Sequence, residues 1–161
     1  MDRVRDLLAH PLFRENLLAI RTAEADRIYC GHDLAHLMDV ARIAWIMALE
    51  RGIDLKKDLV YAAALLHDLG RAEEYAGGRS HDQASVQLAR RILPDLGYRA
   101  DEMEAICRAI EGHRGRDKAE GQDALAALLF EADKKSRACF VCPASGSCKW
   151  PENKKNTGFD Y

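Results

Sequence analysis

The sequence lacks any long apolar run, although hydrophobic residues make up 48% of its 161 residues. No stretch approaches the roughly 18 consecutive apolar residues of a membrane-spanning helix. The N-terminal segment MDRVRDLLAHPLFRENLL is charged throughout and has no signal-peptide core. We therefore expect a soluble, cytoplasmic protein of about one domain, with a sizeable core and no membrane partner.

The sequence also lacks a marked excess of one charge. It has 24 Lys and Arg against 26 Asp and Glu, which gives a formal net charge of -2. This balance gives no broad electrostatic case for a nucleic-acid or anionic-membrane partner. The five cysteines are an odd number, and in a cytosolic chain they argue against a disulfide framework.

Alternating strand patterns, internal repeats and low-complexity segments are absent as well, and helical periodicity dominates. Glycine and proline residues separate seven predicted helices, at 2–9, 12–27, 33–51, 55–68, 81–93, 102–112 and 123–137. The prediction is an all-α bundle of about six or seven helices over residues 1–137. Residues 138–161 hold three cysteines and two prolines, and they are predicted to form an irregular tail on the helical body.

Ionisable side chains interrupt the apolar faces of five of these helices. The segment AAALLHDLGR, residues 62–71, ends an apolar helix on His67 and Asp68, and His36 shares a stripe with Val40. An ionised carboxylate is costly to bury unless it is paired or bound to metal. Because a helical domain packs apolar faces together, we expect convergence of a larger set, namely His36, His67, Asp68, His81, His113 and Asp133.

A set of imidazoles and carboxylates suits Fe, Mn, Zn, Co or Ni better than Mg or Ca. Asp68, at a helix end, could bridge two ions about 3.5–4 Å apart, which together could clamp a phosphoryl group. A single histidine on an apolar stripe is more often a satisfied core residue, so the prediction depends on the combination. His10 and His32 are interpreted as structural residues at loops or helix boundaries.

Three segments, GHDLAHLMDVARIA, AALLHDLGR and ALLFEADKKSR, resemble the HD-domain superfamily of metal-dependent phosphohydrolases over about residues 28 to 137. The resemblance implies the HD-type helical bundle, with His36, His67, Asp68 and Asp133 as metal ligands. His81 and His113 occupy places where dinuclear members have extra histidines. The implied cofactor is one or two divalent transition-metal ions, and the extra histidines favour two.

The resemblance implies hydrolysis of a small phosphate ester or anhydride, and a nucleotide or dinucleoside polyphosphate is the expected substrate. Asp68 and Arg71 are the candidate catalytic residues. Arg71, Arg114 and Lys134 are candidate phosphate ligands, with ordinary solvated charges as the alternative. The guanidinium of Arg71 can bind phosphate through two hydrogen bonds. Two other readings stay open: a non-catalytic HD-fold sensor of nucleotide or metal, and a protein that acts through its cysteine tail.

The tail contains Cys139, Cys142 and Cys148 in a C-x2-C-x5-C pattern. The first pair has the spacing of a zinc knuckle or of half an iron–sulfur site, so a second metal site is possible here. A closed site needs a fourth ligand, from Cys30, Cys107 or a histidine. The alternative is three reduced thiols in a tail that Phe140 and Trp150 anchor.

Overall fold

A computed structural model describes residues 1–113, 123–158 and 161 of the chain. These residues form eight α-helices and no β-strand, which confirms the all-α prediction. The helices are α1 Asp2–Ala9, α2 Pro11–Ala23, α3 Leu34–Glu50, α4 Lys57–Leu66, α5 Arg71–Tyr75, α6 His81–Ile92, α7 Ala100–Gly112 and α8 Ala124–Lys135. None of the helices in these residues is long and apolar enough to cross a lipid bilayer.

Helix α4 is the centre of the bundle. Every residue from Leu59 to Leu66 is buried, so the helix is enclosed on all sides. Its sequence explains this, because a helix that is apolar all round has no face to present to solvent. The small residues Ala62, Ala63 and Ala64 allow neighbouring helices to approach its axis closely. The bundle therefore packs around α4 on several sides at once.

Five of the remaining described helices pack against α4, namely α1, α3, α6, α7 and α8. Helix α3 packs along α4 and against α8, while α7 packs against α4, α6 and α8. Helix α1 packs against α2 and α4, and α2 also contacts α5 and α6. As a result, the ends of α3, α4, α6, α7 and α8 can meet at one place.

Two local features differ from the sequence-based predictions. Helix α5 was not predicted, because its five residues lie between glycines and show no apolar period. Helix α7 begins at Ala100, two residues before the predicted start at residue 102. The Glu102 carboxylate accepts from the Arg99 amide at 3.1 Å and so caps this start. Asp123 caps the start of α8, because its side chain accepts from the Leu125 amide at 2.9 Å.

The segment after α8 consists of three 3₁₀ turns, Cys139–Val141, Ser145–Ser147 and Glu152–Lys154. The Asn156 amide group donates to the carbonyls of Lys134 and Arg137, at 2.9 and 2.7 Å. This contact satisfies carbonyls that the end of α8 leaves without helical partners. The tail is therefore bound to the bundle beside the C-terminus of α8.

Candidate metal centre

The adjacent residues His67 and Asp68 lie in the turn that follows α4, which we call the HD turn. His67 and Asp68 are almost completely buried, at 0% and 1% exposure. Gly70, two residues later, lies against α6 so closely that a Cβ there would come within 2.4 Å of the His81 carbonyl oxygen. The Gly70 amide donates to the buried Ser85 hydroxyl at 2.8 Å. This close approach brings the start of α6, and with it His81, next to Asp68.

The other candidate ligands also come from helix ends. His36 lies in the first turn of α3, His81 begins α6, His113 follows α7, and Asp133 lies in the last turn of α8. Asp68 is their common neighbour. Its Oδ2 atom is 3.6 Å from His36 Nε2 and 3.2 Å from His67 Nε2. Its Oδ1 atom is 3.4 Å from His81 Nε2 and 4.0 Å from His113 Nε2.

These side chains form two groups that share Asp68. His36, His67, Asp68 and Asp133 each offer a ligand atom within 4.8 Å of the others, and so do Asp68, His81 and His113. Asp133 Oδ1 completes the first group at 3.6 Å from His36 Nε2. The structure thus brings together all six residues that the sequence predicted to converge. Each group can hold one ion, with Asp68 between them.

The second ring nitrogen of each histidine has a partner that directs Nε2 inward. His67 Nδ1 bonds the Ala64 carbonyl at 2.7 Å, and His113 Nδ1 bonds the Ile110 carbonyl at 2.5 Å. His81 Nδ1 lies 2.9 Å from a Glu74 carboxylate oxygen. The Ser136 hydroxyl lies 3.3 Å from His36 Nδ1. Such outer partners set ring orientation and tautomer in metal sites.

Burial and charge together favour the protonation states that metal ligands need at Asp68, Asp133, His81 and His113. His67 is the exception, because burial opposes its charge but the neighbouring Asp68 raises its pKa. Burial opposes ionisation of Asp68, but His67, His36 and Arg71 hold the pKa of this carboxyl well below its usual value. Burial likewise opposes ionisation of Asp133, while Arg137, His67 and Lys134 lower its pKa. Burial lowers the pKa of His113 to about 4 and lowers that of His81. Ionised carboxylates and neutral imidazoles are the forms that bind metal.

Five buried side-chain atoms of the described residues have no hydrogen-bond partner, and three of them belong to candidate ligands: His36 Nε2, His67 Nε2 and Asp68 Oδ1. The other two are Arg71 Nε and Arg137 Nε. Buried polar atoms without partners are rare, and each calls for an explanation. For the three candidate ligand atoms, a divalent transition metal supplies one, since it accepts imidazole nitrogen and carboxylate oxygen together. The residues present therefore fit the predicted metal ions.

Cationic side chains surround a polar cavity of about 300 Å³ at the centre. Arg71, predicted to bind phosphate, places Nε 2.9 Å from Asp68 Oδ1. Lys134, also predicted, forms an ion pair with Asp133. Arg114 lies outside the described residues. Sequence reasoning missed Arg27 and Arg137, which line the same cavity. The spacing of Arg137, four residues after Asp133 on one helix face, could have indicated it.

The sequence places His32 among the structural residues at helix boundaries, and the structure shows that it also lies close to the candidate metal centre. It is 2% exposed and lines the same cavity, with Nε2 3.9 Å from Asp68 Oδ2. Glu24 holds its Nδ1 at 2.5 Å, and the Tyr75 hydroxyl donates to that carboxylate. The signal in the sequence was Asp33, whose capping of α3 leaves His32 just outside the helix beside His36. His10 is confirmed as a boundary residue, because its ring accepts from the Leu12 amide at the start of α2.

The tail cysteines lie elsewhere. Cys139, Cys142 and Cys148 line a separate cavity, on the side of His36 and Arg137 that faces the tail, and all three thiols are free. None belongs to the two His and Asp groups. They are therefore not ligands of the main centre.

Comparisons with known proteins agree with this geometry. The family model described as HD domain matches residues 33–138. An uncharacterised protein from Clostridium beijerinckii is 36% identical over 161 residues, the full length of both chains. A crystal structure of a predicted HD superfamily hydrolase from an uncultured Thermotogales bacterium has a TM-score of 0.61 and 26% identity, covering 88% of this chain and 80% of that one.

Ribonuclease Y proteins are also similar. Those of Lawsonia intracellularis and Aquifex aeolicus are 34% and 36% identical over 105 and 110 residues, or 65% and 68% of this chain. In both cases the match spans only 18% of the relative's length. The matched family region contains every candidate ligand of the two groups, and a fold of the same kind appears in the solved structure of the predicted hydrolase. We conclude that the chain belongs to the HD-domain superfamily.

Proposed function

We propose that the protein is a metal-dependent phosphohydrolase that acts through the two groups sharing Asp68. The observation that carries this proposal is a buried carboxylate between two sets of imidazoles, with cations at the rim. When bound, divalent ions in such a centre supply an acidified water as nucleophile and neutralise charge on the phosphoryl group. Membership of the HD superfamily and likeness to a predicted hydrolase support the same reaction class.

The chain's own residues would bind and orient the phosphoryl group. Arg71 is 18% exposed on its side chain, so its guanidinium lies at the boundary between Asp68 and the cavity. Lys134, at 38%, is more open to solvent. Positive groups fixed beside the reacting phosphorus stabilise the charge that develops on its oxygens. Arg71 would thus bind the phosphoryl group that is transferred, and Lys134 would bind a phosphate nearer to the solvent.

The proposed substrate is a nucleotide or dinucleoside polyphosphate. The cavity combines four cationic side chains with one aromatic ring, that of Trp150 from the tail. The Trp150 ring lies 5.4 Å from the Arg137 guanidinium and 5.8 Å from Lys134 Nζ. A base can stack on an aromatic side chain while cations bind its phosphates. This arrangement favours a substrate with both a base and several phosphates over a simple phosphate monoester without a base.

Metal content and turnover together test the proposal. The apoprotein is reloaded with Mn, Fe, Co, Ni or Zn, its metal is counted, and phosphate release is followed from nucleoside mono-, di- and triphosphates and dinucleoside polyphosphates. We expect about two ions per chain and hydrolysis that depends on them. Failure to bind any of the five metals would remove the physical basis of the proposal. Bound metal without turnover of any substrate would instead identify a sensor.

A second substrate class is RNA, favoured by the likeness to ribonuclease Y proteins. The near-neutral charge of the chain opposes it, since nucleic-acid binding depends on neutralising several phosphates. A short single-stranded RNA in the same screen separates the two. Internal cleavage of the RNA with no release of phosphate from nucleotides would select this alternative.

A further inference from the structure

Four of the five cysteines surround one cavity, although they are far apart in the sequence. Cys30 precedes α3, and Cys139, Cys142 and Cys148 come from the tail. All four line a cavity of about 310 Å³. The fifth, Cys107, is buried in α7 within the hydrophobic core. We propose that this cavity is an iron–sulfur site, in which the thiolates of Cys30, Cys139, Cys142 and Cys148 hold one [4Fe–4S] cluster.

The tail is folded in a way that presents these thiols. The Cys142 amide donates to the Cys139 carbonyl at 3.2 Å, and the Cys148 amide donates to the Ser145 carbonyl at 3.3 Å. The Tyr29 hydroxyl, next to Cys30 in the sequence, donates to the Ser147 carbonyl at 3.2 Å. Short turns without a hydrophobic core of their own have little to stabilise them. A ligand shared by both segments would give this arrangement a source of stability.

Among the described residues, no tight group of ligand atoms includes a cysteine sulfur, and this favours a cluster over a single zinc ion. Zinc holds four thiolates at about 2.3 Å, which brings their sulfurs within roughly 4 Å of one another. The described residues contain two groups of three or more ligand atoms within 4.8 Å, and no cysteine belongs to either. A four-iron cube separates its thiolate ligands by roughly 6 Å. A four-iron cluster also needs a cavity between its ligands, and this site provides one. A zinc ion needs no such cavity, because its four thiolates enclose it directly.

Charged side chains of both signs line the cavity, since the carboxylates of Asp33 and Asp39 accompany its two cations. Four thiolates with an oxidised four-iron cube carry a net charge of roughly -2. Arg137 and Lys155 both line the cavity, and the Lys155 side chain is 7% exposed, although it is a lysine. Its ammonium donates to the Ser145 carbonyl at 2.6 Å. Glu152 first, and then the thiols of Cys148 and Cys139, raise the pKa of Lys155.

The proposed site adjoins the metal centre through α8. Arg137 donates to Asp133 at 2.8 Å, and it lines the cysteine cavity together with Cys30. The cavity is lined by His36 and Ser136 as well. A cluster here would hold Arg137 and the tail in place without taking part in hydrolysis. The proposed iron–sulfur site is therefore independent of the proposed phosphohydrolase activity, and each can be tested without the other.

The test is anaerobic reconstitution of the full chain with sulfide and equal amounts of ferrous and ferric iron, followed by measurement of acid-labile sulfide and visible absorption. Sulfide decides the result because the His and Asp centre can take iron but needs no sulfide. We expect about four sulfides per chain and the broad visible absorption of a cluster. Cys142→Ser and Cys30→Ser should each lose most of this sulfide. The matched control Cys107→Ala should retain it, because that thiol lies outside the cavity.

Two results would overturn the proposal. One is a wild-type chain that takes up no sulfide while its circular dichroism shows that it is folded. The other is one zinc ion per chain that Cys142→Ser loses, which would identify a zinc site instead. Cys142 lies in the tail rather than in the bundle, so its substitution leaves the core intact. Retention of manganese by Cys142→Ser would show that the main centre survives.

Discussion

Asp68 differs from the other candidate ligands in belonging to both groups. Its two oxygens face opposite sets of histidines, one with His36 and His67 and the other with His81 and His113. His113 contributes to one group alone. Substitutions at the two positions should therefore have different effects on the number of ions bound.

We expect Asp68→Asn to reduce metal content from about two ions to nearly none and to lower hydrolysis by more than roughly 100-fold, because partners outside the ligand set alone change such sites by 10–100-fold. His113→Gln should leave about one ion, in the group that contains Asp133. Metal analysis of both variants, with circular dichroism to confirm their helices, makes the comparison. Equal metal loss in the two would argue against a shared Asp68.

Glu74 supports His81 from outside the ligand set, accepting from its backbone amide and contacting its Nδ1. Glu74→Gln should weaken the binding of the second ion by roughly 10-fold, because a neutral amide orients the ring less strongly. The control is Glu73→Gln, since Glu73 pairs with the exposed Arg79. Titration with Mn²⁺ measures both. If the two variants bind metal alike, Glu74 does not act through His81.

Individual residues of the site were predictable to different degrees. His36, His67, Asp68, His81, His113 and Asp133 could be found because each interrupts an apolar helix face or ends it. Glu24 and Glu74 could not, because nothing in their local sequence shows that they approach a distant histidine. Contacts between separate elements depend on packing angles, which periodicity does not contain.

At the scale of elements, the contact between the HD turn and α6 leaves no room for a side chain at Gly70. A Cβ would meet the His81 carbonyl oxygen and the Ser85 amide nitrogen, both at 2.4 Å. These are backbone atoms, so a rotamer change cannot relieve the clash. Separation of the two elements would also move Asp68 away from His81.

We therefore expect Gly70→Ala to lower the free energy of unfolding by about 1–3 kcal/mol, as overpacked cores do, and to weaken metal binding. The control is Gly146→Ala, because nothing lies within 4 Å of a Cβ at that position. Urea unfolding followed by circular dichroism compares the two. A Gly70→Ala variant with wild-type stability and metal content would show that α6 can shift freely.

Most helices were predictable because their apolar residues recur with helical spacing. Helix α5 was not, and neither was the arrangement of the tail. The tail lacks any period, and its position depends on single hydrogen bonds such as that of Asn156 with the end of α8. Such contacts form only when the bundle exists, so they leave no pattern in the sequence.

At the scale of the whole molecule, a charged cluster joins three helices far from the metal centre. Glu102 of α7 is 3% exposed and accepts from Arg3 of α1 at 2.7 Å and from Lys56, before α4, at 2.8 Å. Arg3 also bonds Asp58 of α4. Arg3 first, and Lys56 next, hold the pKa of Glu102 well below its ordinary value of 4.5. A carboxyl of this kind stabilises the fold when it is ionised.

We expect Glu102→Gln to destabilise the protein by about 2 kcal/mol at pH 7, as loss of hydrogen bonds to a buried charge does. A depressed folded pKa adds stability above the unfolded pKa, and this is lost as pH falls toward the folded value. The difference between wild type and variant should therefore shrink below about pH 4. Denaturant midpoints from pH 3 to 8 measure it. Glu104→Gln, which breaks an exposed pair with Arg90, should change little at any pH.

The candidate metal ligands all lie where helices begin or end, and this has a consequence for how the chain unfolds. Terminal turns are the parts of a helix that fray first, because their backbone groups lack helical partners. Bound ions would join five such turns into cross-links that close long stretches of chain, in the way that a disulfide does for two. Amide hydrogens near these turns should then exchange only when the whole bundle opens. Bound metal would change this protein from a bundle in which five helix ends can open locally into one that unfolds as a single unit.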